Sequence, residues 1–128
     1  TLYDILDTPV SPELLPAKDG DISQKTEDIV GDYILHDFFL YCYIRLGFSP
    51  KKIYFVAKNT FEGKFSGAEI LKWLKSFYRR YFAMQFKRSC LPDGVKVGNV
   101  SLSPRGDLHM PSDANSILWQ KELEDIKE

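Results

Sequence analysis

Apolar residues recur at spacings of three and four through the middle of the chain, at Ile70, Leu74, Phe77, Tyr81 and Met84. That period is the signature of an amphipathic helix. Ser66 precedes the run and Glu69 follows it by three, the capping-box spacing in which hydroxyl and carboxylate satisfy orphan amides reciprocally. The pattern predicts a long helix from Ser66 to about Arg88. Upstream, residues 32–46 are apolar on nearly every side, which predicts a largely buried helix. Asp32 stands as its N-cap and Gly47 as the left-handed residue after its end. Ser49 and Pro50 open another helix, cap followed by first-turn proline, which runs to about Phe61 before Glu62-Gly63-Lys64 breaks it. A last helix is predicted from Ser112 or Asp113 to about Lys127, with Ile117, Leu118, Leu123 and Ile126 apolar.

The segments between these helices lack a period. Residues 1–31 read as loop, because Pro9, Pro12 and Pro16 prevent a sustained helix and Lys18-Asp19-Gly20-Asp21 is a turn. A single helical turn is possible at 11–14. Leu91-Pro92-Asp93-Gly94 is a strong turn, and 95–111 is irregular, with Gly98, Pro104, Gly106 and Pro111. Residues 95–97 and 100–102 could pair weakly as strands. The expected fold class is mainly α, about four helices plus long loops, divided into a loop region 1–31 and a helical part 32–128.

Composition narrows the class. The chain has 128 residues, 44% hydrophobic and 14% aromatic, which excludes intrinsic disorder. No apolar run approaches the roughly 20 residues that span a bilayer. There is no signal-peptide pattern. The chain starts without Met in what reads as mid-element, as an excised fragment would. Cys42 and Cys90 cannot make a disulfide framework and suit free thiols in a cytosolic protein. Charge is uneven: residues 1–37 carry nine acids and two bases, 38–111 thirteen bases and four acids, and the rest five acids and two bases. A basic middle suggests an anionic partner, although charge count alone fits solvated helix faces better.

Most single candidates for chemistry are weak. His36-Asp37 lacks further metal ligands, since His109 is the only other histidine, and suits a hydrogen-bonded helix pair. Cys90 follows a cationic helix end but has no histidine near it in sequence. Lys72, Lys75 and Arg79 share one helical face and suit solvent. Lys87, Arg88, Lys96 and Arg105 cluster around a loop rich in glycine and hydroxyls, a combination suited to phosphate or carboxylate. Asp107 among them could pair with Arg105 or orient a reacting group. No P-loop or dinucleotide glycine fingerprint is present.

At these residues the chain resembles a known family. Phe86-Lys87-Arg88-Ser89-Cys90-Leu91-Pro92-Asp93-Gly94-Val95-Lys96-Val97-Gly98, with Ser101-Leu102-Ser103-Pro104-Arg105-Gly106-Asp107, is similar to the C-terminal signature of bacterial glutamine-dependent NAD+ synthetases. So are Met110-Pro111-Ser112-Asp113 and Leu35-His36-Asp37-Phe38-Phe39-Leu40-Tyr41. Thr8-Pro9-Val10-Ser11-Pro12-Glu13-Leu14 looks like the family's loop near the ATP phosphates, and Gln24-Lys25-Thr26-Glu27-Asp28 like the segment after it. The resemblance covers nearly the whole chain.

The resemblance implies a C-terminal fragment of an enzyme that amidates deamido-NAD+ with ATP and Mg2+, through an acyl-adenylate. Ammonia comes from glutamine through an N-terminal glutaminase domain. The implied parent domain is an α/β, Rossmann-like sheet of the adenine nucleotide alpha-hydrolase type, in a cytoplasmic homo-oligomer with no nucleic-acid or membrane partner. By motif, Ser11 belongs near the ATP phosphates, and Lys87 and Arg88 near the deamido-NAD+ phosphates or carboxylate. Arg105 and Asp107 belong to the loop that closes over the acyl site and the ammonia entry; of these, Asp107 is the catalytic candidate and Arg105 a deamido-NAD+ ligand. No metal ligands are implied in this chain. Leu108-His109 stands where the family often has Trp-Arg, and Asp32 where Pro is common. The family's Ser-Gly-Gly pyrophosphate loop and its glutaminase nucleophile domain are not in the sequence, so the chain alone is expected to bind no cofactor stably, to lack activity, and to self-associate through uncovered apolar surface. The rival expectation is a non-catalytic helical module that binds phosphate or nucleic acid.

Overall fold

The computed structural model describes residues 2–8 and 26–126. The chain divides into two compact units, residues 1–33 and 34–128. In the first unit, two short helices replace part of the expected loop: α1 (Leu2–Leu6) and α2 (Thr26–Val30). Both lie outside the proline-bearing stretch, and proline stops a helix only where it sits. Glu27 and Asp28 occupy the first turn of α2, where carboxylates complement the helix dipole. Gly31 ends it at φ +92°, its amide donating to the Glu27 carbonyl at 2.8 Å. The helical turn at 11–14 and the turn at Lys18-Asp19-Gly20-Asp21 lie outside the described residues.

The second unit is built on α3 (Tyr33–Leu40), α4 (Pro50–Thr60), α5 (Gly67–Ala83), α6 (Gln85–Ser89) and α7 (Ile117–Glu124). Tyr33, the first residue of α3, is still part of the first unit, within which its amide donates to the Glu27 carboxylate at 3.2 Å. The single helix expected over 32–46 is continuous but not uniform: from Tyr41–Arg45 it widens into a π-turn. The Leu46 amide accordingly reaches the Tyr41 carbonyl at 3.3 Å, and the Phe48 amide the Cys42 carbonyl at 3.0 Å. Gly47 reverses the chain at φ +62° with open space around it, so it is needed for its conformation and not for room. The expectation of a largely buried helix fails on one side. Leu35, Phe39 and Cys42 are buried, but Ile34, Tyr41 and Leu46 stay 43%, 44% and 45% exposed.

α4, α5 and α7 pack against one another. Ser49 caps α4 by accepting from the Lys52 amide, and Glu122 of α7 accepts from the Lys51 amide at 3.0 Å. Ser66 caps α5 by accepting from the Glu69 amide at 3.1 Å. The apolar stripe of α5 carries Ile70, Leu71, Leu74, Phe77, Tyr78, Tyr81 and Phe82 into the core, where they meet Phe39, Ile53, Ala57 and Leu123. Tyr43 meets Tyr78 and Tyr81 edge to face, each at 5.3 Å, and Phe82 lies tilted against Trp119 at 4.7 Å.

Two helix boundaries differ from expectation. The helix that should reach Arg88 breaks at Met84, with φ −97° and ψ 17°, and restarts as α6. No glycine or proline marks that break. The last helix begins at Ile117, where Asn115 Oδ1 accepts its amide at 3.1 Å, and not at Ser112 or Asp113. Its core-facing residues are Leu123 and the half-buried Trp119, while Ile117 and Leu118 are 67% and 73% exposed. Among the described residues there is no strand. Val95 and Val97 are 89% and 95% exposed, so no burial drives the weak pairing allowed by the sequence. The fold is mainly α, and no described helix is long and apolar enough to cross a membrane.

Candidate functional site

The irregular segment after α6 folds back on itself and lines an open cleft of about 690 Å³ with residues 91–98, 100–103 and 105–107. Its sharpest bend is organised by Ser103. The Ser103 carbonyl accepts from the Gly106 amide at 3.1 Å and the Leu108 amide at 3.3 Å, while its hydroxyl accepts from the Arg105 amide at 3.3 Å. Ser101 Oγ in turn accepts the Ser103 amide at 3.3 Å. Hydroxyl side chains thus supply partners that a strand or helix would otherwise provide. Leu108 anchors the downstream leg, 9% exposed among the core residues, with Leu102 and Met110 partly buried beside it.

This bend brings Lys96, Arg105 and Asp107 into one cleft. Asp107 pairs with Lys96 and not with Arg105; Arg105 pairs with Asp93. The four side chains are 39–87% exposed, so each pair is weak and exchangeable. Two cations and two carboxylates therefore face one opening, and a polyanion can replace a carboxylate partner without any buried charge being left unpaired. Asp93 was legible only as a turn residue; its part in the charge network depends on the fold-back.

Lys87 and Arg88 do not join that cleft. Lys87 is exposed on α6. Arg88 is turned inward and 9% exposed. Its Nη2 donates to the Tyr81 carbonyl, its Nε donates to Gln85 Oε1 at 2.8 Å, and its guanidinium stacks on the Tyr81 ring at 4.3 Å. Burial lowers its pKa, while the Tyr81 and Tyr43 phenols oppose that shift. The guanidinium is thus turned into the fold with Nε and Nη2 bonded there, whereas Lys87 beside it faces outward. Ser11 lies outside the described residues.

Thirty-seven to 39% of positions match, over 96% of the chain, in glutamine-dependent NAD(+) synthetases of Mycobacterium leprae (39%), Mycobacterium bovis (37%) and Mycobacterium tuberculosis (37%). The chain is homologous to one segment of the glutamine-dependent NAD(+) synthetases. It spans about a fifth of those relatives, 21% of each. No protein-family model matches it.

The remaining candidates fall on the bland side. The His36 ring sits 6.1 Å from Phe39 and 6.0 Å from Phe77, inside the aromatic packing. Cys90 is exposed, and burial raises the pKa of Cys42, which disfavours its thiolate. His109 lines a second cleft with Tyr43, Tyr81, Leu108 and Trp119. Leu108, 9% exposed, is the apolar anchor of that cleft, and the His109 imidazole stands beside it. Among the described residues no three His, Cys, Asp or Glu side chains converge as a metal site.

Proposed function

We propose that this chain is the substrate-closing, C-terminal part of a glutamine-dependent NAD+ synthetase. The observation that carries the reading is the fold-back that gathers Lys96, Arg105 and Asp107 in one cleft, in a chain homologous to the synthetases along nearly all its length. In this reading the nicotinate carboxylate of deamido-NAD+ attacks the α-phosphorus of ATP. Pyrophosphate leaves and an acyl-adenylate forms. Ammonia, released from glutamine by a separate glutaminase domain, then attacks the acyl carbon, AMP leaves, and the nitrogen gives up its extra proton.

The residues of this chain bind and orient. Lys96 and Arg105 exchange their carboxylate partners for oxygens of the polyanionic substrates, which offsets charge where it gathers. Exposed Lys87 approaches deamido-NAD+ phosphates, and Ser11 approaches those of ATP. Asp107, released from Lys96, accepts a proton from the incoming nitrogen. Arg88 acts from inside the fold. In this reading Mg2+ accompanies ATP in the full enzyme and offsets its phosphate charge. In this reading the intact protein works in the cytoplasm as a homo-oligomer.

The test is NAD+ formation by the full-length protein from deamido-NAD+, ATP and either ammonium or glutamine. Lys87→Ala is expected to raise KM for deamido-NAD+, and unchanged kinetics would remove Lys87 from the site. The isolated chain is expected to form no NAD+. Salt-sensitive oligonucleotide binding by a full-length protein without synthetase activity would replace this reading with the non-catalytic module.

A further inference from the structure

Gln85 and Arg88 are the buried polar residues of the described chain, 2% and 9% exposed. Burying an amide and a guanidinium is costly unless their hydrogen bonds are satisfied, and apolar residues of similar size usually serve stability as well or better. What the pair does is visible in its partners. α5 ends at Ala83, which leaves its last carbonyls without helical partners. Arg88 Nη2 takes the Tyr81 carbonyl, and the guanidinium lies over the Tyr81 ring. Arg88 Nε fixes Gln85 by its Oε1 at 2.8 Å. That orients Gln85 Nε2 toward the Met110 carbonyl, to which it donates at 3.4 Å across 25 residues of sequence. Met110 stands three residues after Asp107, beyond the buried Leu108. The chain of contacts therefore runs from the end of α5 through both side chains to the downstream leg of the cleft-forming loop.

We infer that Gln85 and Arg88 are positioning residues that brace the 101–111 loop and so set where Arg105 and Asp107 stand. The inference rests on the synthetase reading for its effect on catalysis and on geometry alone for the brace. The break at Met84 belongs to the same device. A straight continuation of α5 would keep the Tyr81 carbonyl in a helical bond, whereas the break frees it for Arg88. Catalysis depends on position steeply enough that an ångström of looseness can cost about 100-fold.

The experiment uses the full-length protein with Gln85→Met, which removes both of the residue's hydrogen bonds at similar volume, and Gln85→Glu. The glutamate keeps an acceptor for Arg88 but loses the donor to Met110. Amide hydrogen exchange over 101–111 is expected to rise about tenfold in both, the loss of about one hydrogen bond, while exchange in α4 and α5 is unchanged. In both, kcat with deamido-NAD+ falls by about tenfold or more while KM changes little. The thermal midpoint of each variant is measured and kcat is read well below it, which separates a positional loss from general instability. Unchanged loop exchange in both variants overturns the brace. A loosened loop with unchanged kcat overturns its role in positioning. If the wild-type protein forms no NAD+, the synthetase reading fails separately, and loop exchange alone decides the brace.

Discussion

Tyr78 is fully buried, and its hydroxyl has no hydrogen-bond partner among the described residues. Its ring is well placed, 5.3 Å from Tyr43 and 5.2 Å from Phe77, both edge-on. The phenol's pKa is raised, first by burial and then by neighbours that include Tyr43 and Glu122, so it is neutral at any ordinary pH. Tyr78→Phe keeps the ring and deletes only the oxygen. An unpaired buried hydroxyl costs about 1–3 kcal/mol in desolvation. Against that, the void left by one oxygen costs about 0.3 kcal/mol at roughly 24 cal/mol per Å³. The net expectation is stabilisation by about 1 kcal/mol, a rise of about 3 °C in Tm for a chain of this size. Leu74→Ala in the same stripe, with Leu74 fully buried, is the control and should cost about 3 kcal/mol. Both are read from urea unfolding followed by circular dichroism. Destabilisation by Tyr78→Phe of more than about 1 kcal/mol would refute the reasoning, because it would mean that the hydroxyl is bonded in the folded chain.

Two further outcomes follow from the charge arrangement. Burial pushes the Tyr81 phenol up to about 12, with Tyr43 adding and Arg88 opposing. A phenol raised when folded binds its proton more tightly than in the unfolded chain, so its contribution is present below the usual value of about 10 and is lost as pH rises through the folded value. Thermal midpoints should be level up to about pH 10 and fall between about 10 and 12; tyrosinate absorbance complete near pH 10 without loss of structure would contradict this. Asp93→Asn frees Arg105 at an exposed pair. It should leave stability within about 1 kcal/mol and raise the affinity for inorganic pyrophosphate a few-fold at low salt, with unchanged affinity counting against Arg105 as an anion ligand.

The helical class and both clean N-caps were legible because they depend on neighbours in sequence. Ser49 and Ser66 each bond an amide three residues on, and Gly47 takes the positive φ that ends its helix. The family resemblance was legible for a similar reason, since motifs are local strings. Distant partners could not be read, and where several capping residues stand close together the choice among them could not be read either. Capping of α4 by Glu122 spans 71 residues. The true start of α7 follows an asparagine two residues upstream, not the earlier serine or aspartate. Ile117 and Leu118 carry the apolar pattern of α7, yet the helix turns Trp119 and Leu123 inward and leaves those two exposed.

The candidate site divides along the same line. Its cations could be named from the sequence because lysine and arginine in a glycine-rich, hydroxyl-rich loop suit anions wherever they fold. Their partners could not. Whether a guanidinium faces solvent or core depends on which carbonyls lie within reach, and that is a tertiary fact. Arg88, adjacent to Lys87 in the chain, is buried under Tyr81, while Arg105, seventeen residues on, opens onto the cleft. Sequence alone determined that this protein is helical, that it carries a basic loop and which family it resembles. Only the tertiary structure decided which basic residues remain at the surface to meet a ligand and which are spent holding the loop, because burial and hydrogen-bond supply are set by the whole fold.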